Sequence, residues 1–333
     1  EIQVMNFEEG LEKDLIHWVG EDVEDAYFQA IKEKAINPDL CFTKGGELKV
    51  VYTPIHGTGL VPCMRALKDL GFSDVEVVKE QATPDQRFPT VKSPNPENPE
   101  ALEMAVDLMK QTQADLVMGS DPDGDRLGVA QIHNGEVQFL NGNQIGILML
   151  HYILKNLSAQ NRMPQNPYFV KTIVTTDLQS KMADHFGVKT ENTLTGFKWI
   201  CGRMNQIEKQ NPERNFLFAT EESYGYLNHD FVKDKDGVSS LTLMAEVALW
   251  YKTQNKTLLD GLDDIYKEYG FSHEHLLNLS YKGKEGGEKI QRIMERFRNF
   301  SQQDFAGEEI AMVHDYDNLL SQIWQKGSPS GDQ

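Results

Sequence analysis

A short apolar run followed by three closely spaced aspartates limits most strongly what this chain can fold into. The apolar run covers residues 116–118, and Asp121, Asp123 and Asp125 follow it after a glycine and a serine. The run is short enough to be a buried strand, and the proline and glycine between the acids end regular structure. We therefore predict a tight acidic loop at the carboxyl end of a strand, the edge where open α/β sheets bind ligands.

Three carboxylates at this spacing repel one another, and a hard divalent cation such as Mg²⁺ or Ca²⁺ relieves the repulsion. An EF-hand is excluded because Arg126 and Ile132 stand where that motif requires a glycine and a glutamate. Two other interpretations stay open. One is a D-x-D phosphatase loop, in which Asp121 is phosphorylated and Asp123 is the acid/base, and the other is a solvated acidic turn. Arg126 favours a functional loop, because an arginine beside a metal site can hold a phosphate in bidentate fashion.

The composition narrows the class of partner. Among 333 residues, 51 are acidic and 33 are basic, for a net charge of −18, which disfavours nucleic acid and anionic membranes. The most apolar helix candidate, residues 145–157, is too short to span a bilayer. Cys41, Cys63 and Cys201 are far apart and odd in number, which is typical of reduced thiols in a cytoplasmic protein. No signal peptide is recognised, and because the first residue is Glu1 we expect a fragment or a processed product.

The length predicts two or three domains, and the order of elements indicates where they lie. We expect residues 1–20 to be a leader and residues 21–140 to form one α/β unit, which ends in a hairpin with an Asn-Gly turn at residues 134–135. The loop at residues 53–59 can cradle phosphate on its backbone N–H groups or form a close-packed turn. The turn is favoured, because the loop lacks a P-loop's lysine and a dinucleotide loop's third glycine. We interpret His56 as a hydrogen-bonded structural histidine.

Residues 141–270 repeat the same order of strands and helices, without an exact sequence repeat. Strands are predicted at 169–175, 188–192 and 216–219. Each delivers a polar loop at its carboxyl end, so we expect a second, similar domain that faces the first across a shared cleft. Residues 271–333, with a predicted strand at 276–281, suggest the start of another α+β domain.

Two polar loops of this second unit suit a sugar phosphate. Glu221 and Ser223 can hydrogen-bond neighbouring hydroxyls, because a carboxylate accepts two donors and a hydroxyl both donates and accepts. Lys198 and Lys235 offer cations to a phosphate. Taken singly, each of these residues is more simply a helix cap or a solvated side chain. Their placement at corresponding strand ends favours ligand binding.

The segments GSDPDGDR, TLTGFKW, TEESYG and KDG, in this order, resemble the α-D-phosphohexomutase superfamily, and its phosphoglucomutase/phosphomannomutase group in particular. The resemblance covers nearly the whole chain. It implies four domains around a central cleft, of which this chain is similar to the second (residues 21–140), the third (141–270) and the beginning of the fourth (271–333). The implied fold is α/β, with two similar three-layer α/β domains of mixed sheets plus the start of a third α+β domain.

The resemblance also implies a role for each residue of the acidic loop. Asp121, Asp123 and Asp125 would bind Mg²⁺, and Arg126 would lie near the transferring phosphoryl group. The physical account agrees, because phosphoryl transfer depends on charge neutralisation and positioning more than on covalent chemistry by the protein.

For the second unit, the resemblance implies substrate contacts. Glu221 and Ser223 would hold sugar hydroxyls, and Gly196 and Lys198 would line a substrate-orienting loop. Lys235 would contact phosphate or assist proton transfer. The implied substrate is a hexose phosphate, with glucose 1-phosphate and glucose 6-phosphate interconverted through a phosphoserine enzyme and glucose 1,6-bisphosphate as intermediate and activator. Phosphomannomutase and phosphopentomutase are alternatives within the superfamily. A D-x-D sugar phosphatase and a non-catalytic sugar-phosphate-binding module are alternatives of another class.

Two motifs of the superfamily are missing from this sequence, the serine loop of T-A-S-H-N-P type and the phosphate loop of R-x-S-G-T type. Ser120, the serine next to the acidic loop, is interpreted as part of the turn. We therefore expect the catalytic serine to lie outside residues 1–333 and predict no mutase turnover by the isolated chain. The sequence makes no prediction of oligomeric state or of the preferred sugar.

Overall fold

The computed structural model describes two compact units of the chain, Glu1–Glu274 and His275–Gln333. The described residues are 4–274, 279, 281–299, 304–305, 307–310, 312–316, 318, 320–325 and 328–331. The first unit contains two mixed sheets and every candidate site residue.

The first sheet has five strands, and its parallel part leads into the acidic loop. In chain order the strands are β1 (Val50–Thr53), β2 (Val75–Val77), β3 (Leu116–Ser120), β4 (Leu127–His133) and β5 (Glu136–Leu140). They lie in the order β2-β1-β3-β4-β5, with the first three parallel and the last two antiparallel. Both β1 and β3 are buried along their whole length, as expected for parallel strands covered on both faces.

Helices precede this sheet and connect its strands. They are α1 (Phe7–Glu12), α2 (Glu21–Glu33), α3 (Pro38–Lys44), α4 (Leu60–Asp69) and α5 (Pro99–Thr112), with short 3₁₀ turns at Gly45–Glu47 and Lys79–Gln81. A proline opens α5, where its missing N–H leaves no helix bond unmade. The inner face of α5 packs on the sheet through Ala105, Val106 and Met109.

The predicted hairpin is confirmed, and local chemistry explains it. Asn134 and Gly135 connect β4 to β5 with φ angles of +52° and +84°. These are the left-handed values of a type I′ turn, which asparagine and glycine adopt at little cost.

The second sheet has four strands and repeats the arrangement, which confirms the α/β fold with mixed sheets. Its strands are β6 (Pro167–Thr172), β7 (Lys189–Thr193), β8 (Asn215–Thr220) and β9 (Tyr226–Leu227), in the order β7-β6-β8-β9. Only β9 runs antiparallel to its neighbour. The helices of this part are α6 (Gly142–Ala159), α7 (Leu178–His185), α8 (Phe197–Gln210), α9 (Gly237–Lys252) and α10 (Leu258–Tyr269).

Two boundaries differ from the sequence prediction. Strand β6 ends at Thr172 rather than at residue 175, because the chain turns there and the Thr175 N–H donates to the Thr172 carbonyl at 3.1 Å. Helix α8 begins at Phe197, because Gly196 has a φ of +113° and sets the chain into the helix. Lys198 therefore lies in the first turn of α8 and not in a free loop.

One hydrophobic core joins the two sheets. It runs from Phe28 of α2 to Ile265 of α10 and includes nearly the whole length of α6 and α9. A buried polar contact also crosses between the two parts: Glu246 of α9 accepts the backbone N–H groups of Ile36 and Asn37.

In its described residues, the second unit contains one helix followed by short antiparallel strands. They are α11 (Gly283–Arg298), β10 (Asp304–Phe305), β11 (Glu308–Glu309), β12 (Met312–Asp315), β13 (Leu320–Gln325) and β14 (Ser328–Gly331). The strand predicted at 276–281 falls mostly outside the described residues. Among the helices of the described part of the chain, none is long and apolar enough to cross a membrane.

Candidate functional site

The three aspartates lie on a tight loop directly after β3. Oδ1 of Asp121 accepts the backbone N–H groups of Asp125 and Arg126, both at 3.0 Å. These two bonds fold the loop back on itself, and Gly124 completes the turn with a φ of +74°. One carboxylate oxygen from each of Asp121, Asp123 and Asp125 lies within 4.8 Å of the others. The predicted acidic loop therefore forms a compact carboxylate cluster.

The electrostatics of this cluster fit a bound metal ion. Burial raises the pKa of Asp121 to about 7; the backbone N–H of Arg126 opposes this, and the charges of Asp125 and Asp123 add to it. Within the part of the chain that the structure describes, Oδ1 of Asp125 is buried without a hydrogen-bond partner. A divalent cation bound by carboxylate oxygens would both partner that atom and offset the repulsion.

Two cations border the carboxylates. Nη1 of Arg126 donates to Glu97 Oε1 at 2.8 Å, and Nε of Arg126 lies 3.6 Å from Asp121 Oδ2. Nζ of Lys235 lies 3.0 Å from Asp125 Oδ2. Burial acts to lower the pKa of Lys235, but the hydrogen bond and charge of Asp125 outweigh it and raise the pKa overall. Arg126 and Lys235, predicted from different segments, thus meet at one loop.

Two acids that the sequence analysis did not single out lie beside these cations, one bonded to Arg126 and the other next to Lys235 in the chain. Glu97, in the proline-rich segment before α5, is the partner of Arg126. Asp236, next to Lys235, is buried and accepts the Tyr27 hydroxyl at 2.9 Å and Nε2–H of His229 at 2.8 Å. Burial alone would raise the pKa of Asp236, but the bonds it accepts, chiefly from His229, lower it overall. The sequence signal for Asp236 was its position before a helix, where aspartate is a preferred N-cap.

Gly237 brings the K-D-G segment (residues 235–237) against the acidic loop of residues 121–126, named the metal loop for its carboxylate cluster. Its N–H donates to the Gly124 carbonyl at 3.2 Å. A Cβ on Gly237 would overlap that carbonyl oxygen, so only glycine permits this approach. Each residue of the K-D-G segment is therefore fixed by a contact of its own. Lys235 pairs with Asp125, Asp236 is hydrogen-bonded in the interior, and Gly237 bonds the backbone of the metal loop.

The Glu221 loop follows β8 and meets the metal loop directly. Arg126 and Gly225 form an antiparallel β-bridge, and the N–H of Leu127 donates to the Tyr224 carbonyl at 3.1 Å. Glu221 is buried, and burial raises its pKa to about 7 although Lys235 opposes the shift. The loops after β3 and β8 are therefore joined through their backbones.

The other predicted sugar-loop residues lie at the same edge of the second sheet. Ser223 is in the Glu221 loop, and its Oγ donates to Glu222 Oε1 at 3.3 Å. Gly196 and Lys198 follow β7, which is two strands away from β8 and hence about 10 Å from it. Lys198 is exposed and lies over the Trp199 ring, with Nζ 5.1 Å from the centroid. In the described part of the chain, no hydrogen bond or ion pair joins Lys198 to the metal loop.

Three further residues make structural contacts, and one of them, Ser120, ends strand β3 rather than lying in the turn that the sequence predicts. Nε2 of His56 lies 2.8 Å from Thr90 Oγ1, and its Nδ1 lies 3.3 Å from the Thr83 carbonyl. Oγ of Ser120 is buried and lies 2.8 Å from the Tyr52 hydroxyl. A Cβ on Gly57 would overlap the backbone of the metal loop, so the loop after β1 is a close-packed turn.

Family comparisons cover both sheets. Residues 25–134 match the model for phosphoglucomutase/phosphomannomutase, alpha/beta/alpha domain II, and residues 141–269 match the model for domain III. The chain belongs to the phosphoglucomutase/phosphomannomutase family. In this family's terms, the metal loop is in domain II, and the Glu221 loop and the K-D-G segment are in domain III.

Individual relatives agree with this assignment. A phosphoglucomutase of Staphylococcus epidermidis is 34% identical over 308 residues, which are 92% of this chain and 54% of the relative. One from Staphylococcus aureus strain N315 is 37% identical over 84% of this chain and 49% of its own length. The chain thus spans about half the length of these curated relatives.

Solved structures share the fold. A putative phosphomannomutase from Thermus thermophilus superposes with a TM-score of 0.59 at 22% identity, over 78% of this chain and 55% of that one. The open form of pp63/parafusin, a phosphoglucomutase from Paramecium, gives 0.57 at 17% identity, over 90% and 51%.

Proposed function

We propose that this chain is the metal- and sugar-binding part of a phosphoglucomutase, which interconverts glucose 1-phosphate and glucose 6-phosphate through a phosphoserine and glucose 1,6-bisphosphate. Support comes from the phosphoglucomutase relatives and from the contact between the two loops. The reacting serine is proposed to lie outside residues 1–333, because the sequence lacks the serine loop.

The metal loop is proposed to hold Mg²⁺ through Asp121, Asp123 and Asp125, since hard oxygen ligands suit this ion. When bound, Mg²⁺ would neutralise part of the charge on the transferring phosphoryl group. Arg126, held by Glu97, would present its remaining guanidinium N–H groups to a phosphoryl oxygen.

The second loop and its neighbours are proposed to bind the sugar. Glu221 and Ser223 supply hydrogen-bonding oxygens for hydroxyls, and Lys235 adds a cation beside the metal loop. Gly196 and Lys198 are proposed to orient the sugar from the next loop along the same sheet edge. We infer a hexose phosphate as substrate, glucose rather than mannose, because the curated relatives that match are phosphoglucomutases.

One observation favours this proposal over a D-x-D phosphatase, which accounts for the acidic loop alone. Arg126 and Gly225 form a β-bridge, so the loop proposed to bind the metal is joined to the loop proposed to bind the sugar. This bridge carries the mutase proposal.

The proposal is tested by calorimetric titration of the purified chain with glucose 1,6-bisphosphate, with and without magnesium. We expect magnesium-dependent binding, which Asp123→Asn abolishes through the metal. Ser223→Ala should weaken bisphosphate binding about tenfold, the loss of roughly one well-placed hydrogen bond, at unchanged magnesium affinity. Asp107→Asn, on the exposed face of α5, is the matched control.

A coupled assay with glucose 1-phosphate completes the test. We expect neither glucose 6-phosphate nor free phosphate from the chain alone. Free phosphate would support the phosphatase interpretation, and glucose 6-phosphate would place the reacting serine within this chain. An affinity for glucose 1,6-bisphosphate that depends neither on magnesium nor on Ser223→Ala would contradict the proposed site.

A further inference from the structure

Glu222 stands between the two residues proposed to bind sugar, and its carboxylate connects one of them, Ser223, to the end of β6. Its Oε2 accepts the Thr172 hydroxyl at 2.9 Å, and the Thr175 hydroxyl lies 2.8 Å from that of Thr172. Its Oε1 accepts the Ser223 hydroxyl at 3.3 Å. One carboxylate therefore links the end of β6 to the serine of the substrate loop.

The backbone keeps this carboxylate in place. Gly142, the first residue of α6, packs so closely that a Cβ there would overlap the Glu222 carbonyl oxygen. Tyr224 on the other side has a left-handed φ of +63°, which fixes the turn after Ser223. The N–H of Glu221 donates to the Gly225 carbonyl at 3.0 Å and closes the loop.

The direction of the bond from Ser223 decides what this serine offers to a ligand. A hydroxyl has one proton and two lone pairs, whereas a carboxylate has only lone pairs. Ser223 therefore uses its single proton in the bond to Glu222, so that its hydroxyl can only accept a hydrogen bond from a ligand.

We propose that Glu222, anchored by Thr172, is a positioning residue that fixes Ser223 as a hydrogen-bond acceptor, so that this site selects a sugar hydroxyl able to donate. The inference rests on the proposed function, because it deepens the sugar-binding role of the Glu221 loop. It adds the direction of the hydrogen bond and two residues that the sequence analysis did not assign.

The test uses analogues of glucose 6-phosphate that replace one hydroxyl at a time by hydrogen or by fluorine. Fluorine can accept a hydrogen bond and cannot donate one. The sugar hydroxyl that contacts Ser223 is identified from the deoxy analogues. At that position the deoxy analogue binds the wild type more weakly than the parent does, but binds Ser223→Ala as tightly as the parent does. At that position we expect the fluoro analogue to bind the wild-type chain as weakly as the deoxy analogue, about tenfold below the parent.

Glu222→Gln separates positioning from mere structural support. Its amide oxygen can still accept the Thr172 proton, while its NH₂ group donates to Ser223 and frees the serine proton. We therefore expect the fluoro analogue to regain affinity relative to the deoxy analogue in this variant. Glu103→Gln, on the exposed face of α5, should leave both affinities unchanged. Unfolding midpoints equal to that of the wild type would show that the loop variants are folded.

The outcomes separate this inference from the proposed function. A wild-type chain that binds the fluoro analogue as tightly as the parent would show that Ser223 donates, and would overturn the inference while leaving the sugar site intact. A fluoro-to-deoxy ratio unchanged by Glu222→Gln would overturn the role of Glu222. A chain that binds no sugar phosphate at all would overturn the proposed function, and the inference with it.

Discussion

His151 is buried on α6 in surroundings that disfavour a charged imidazole. Its side chain is 3% exposed and Nδ1 lies 3.4 Å from the Tyr251 hydroxyl; among the described residues, Nε2 has no hydrogen-bond partner. Burial lowers the pKa of His151 to about 4; Lys155 adds to the shift, and the acids of α10 oppose it. The imidazole is therefore neutral in the folded protein at neutral pH.

This residue predicts a loss of stability in mild acid. The folded pKa lies below the unfolded value of 6.5, so the unfolded chain binds the extra proton between pH 6.5 and about 4. His151 should therefore lower the free energy of unfolding across that interval, by up to about 3 kcal/mol, while Asp121 and Glu221, whose pKa values burial raises to about 7, change it in the opposite direction. Urea denaturation of the wild type and of His151→Gln at several pH values measures it.

The comparison of slopes decides whether His151 is responsible. His151→Gln should remove this contribution, so that between pH 6.5 and 4 its free energy of unfolding falls less, or rises more, than that of the wild type. His17→Gln, at an imidazole that is 68% exposed, should follow the wild type. Identical slopes in the wild type and His151→Gln would show that His151 makes no such contribution.

For single residues, the sequence predicted the chemistry of the site only where the residues involved lie close together along the chain. The spacing of Asp121, Asp123 and Asp125 alone predicted a carboxylate cluster, which the structure contains. Glu97 and Thr172 were not predicted, because their partners lie 29 and 50 residues away. No local pattern encodes such a long-range pairing.

Among the elements, the start of α6 makes the closest backbone contact with the Glu221 loop. Asn141 caps the helix, and Asn141 and Gln144 form a reciprocal capping box. Gly142 follows the cap and packs against the Glu222 carbonyl, and its own carbonyl accepts the Tyr226 hydroxyl at 2.9 Å. The cap fixes where α6 begins, and glycine allows that end to support the loop.

Gly142→Ala should therefore move the Glu221 loop. Overpacking at a rigid backbone contact costs about 1–3 kcal/mol, and we expect that loss in urea denaturation together with weaker binding of glucose 1,6-bisphosphate. Gly202→Ala is the matched control, because Gly202 lies in α8 with open space around the added Cβ. There, alanine should raise stability by up to about 1 kcal/mol at unchanged affinity. Equal behaviour of the two variants would contradict the packing argument.

Element boundaries show which structural information is local. The hairpin after β4 was predictable because Asn134 and Gly135 themselves favour left-handed φ angles. The end of β6 was not, because the apolar and β-branched run continues past Thr172 while the chain turns. That turn has a tertiary contact at its start, because the Thr172 hydroxyl donates to Glu222 Oε2 at 2.9 Å.

Across the whole first unit, the two sheets are joined by shared helices and one hydrophobic core. Helix α9 packs against α3 and α4 of the first part and against α6 and α10 of the second. Glu246 of α9 is 1% exposed and accepts the Tyr152 hydroxyl at 2.8 Å as well as the N–H groups of Ile36 and Asn37. The two sheets therefore share helices, core and a buried carboxylate.

It follows that residues 141–274 should not fold cooperatively alone. Without residues 1–140, one face of α9 would be exposed to water, and Glu246 would lose two of the three donors that compensate its burial. Burial raises the pKa of Glu246 despite these bonds, and an uncompensated buried charge costs several kcal/mol, comparable to the whole stability of a domain. Near-ultraviolet circular dichroism and urea titration of residues 141–274, beside residues 1–274 as the control, measure this. We expect a single cooperative transition only for the longer chain; a sharp transition of the shorter chain at the same urea midpoint would show that the second sheet is self-sufficient.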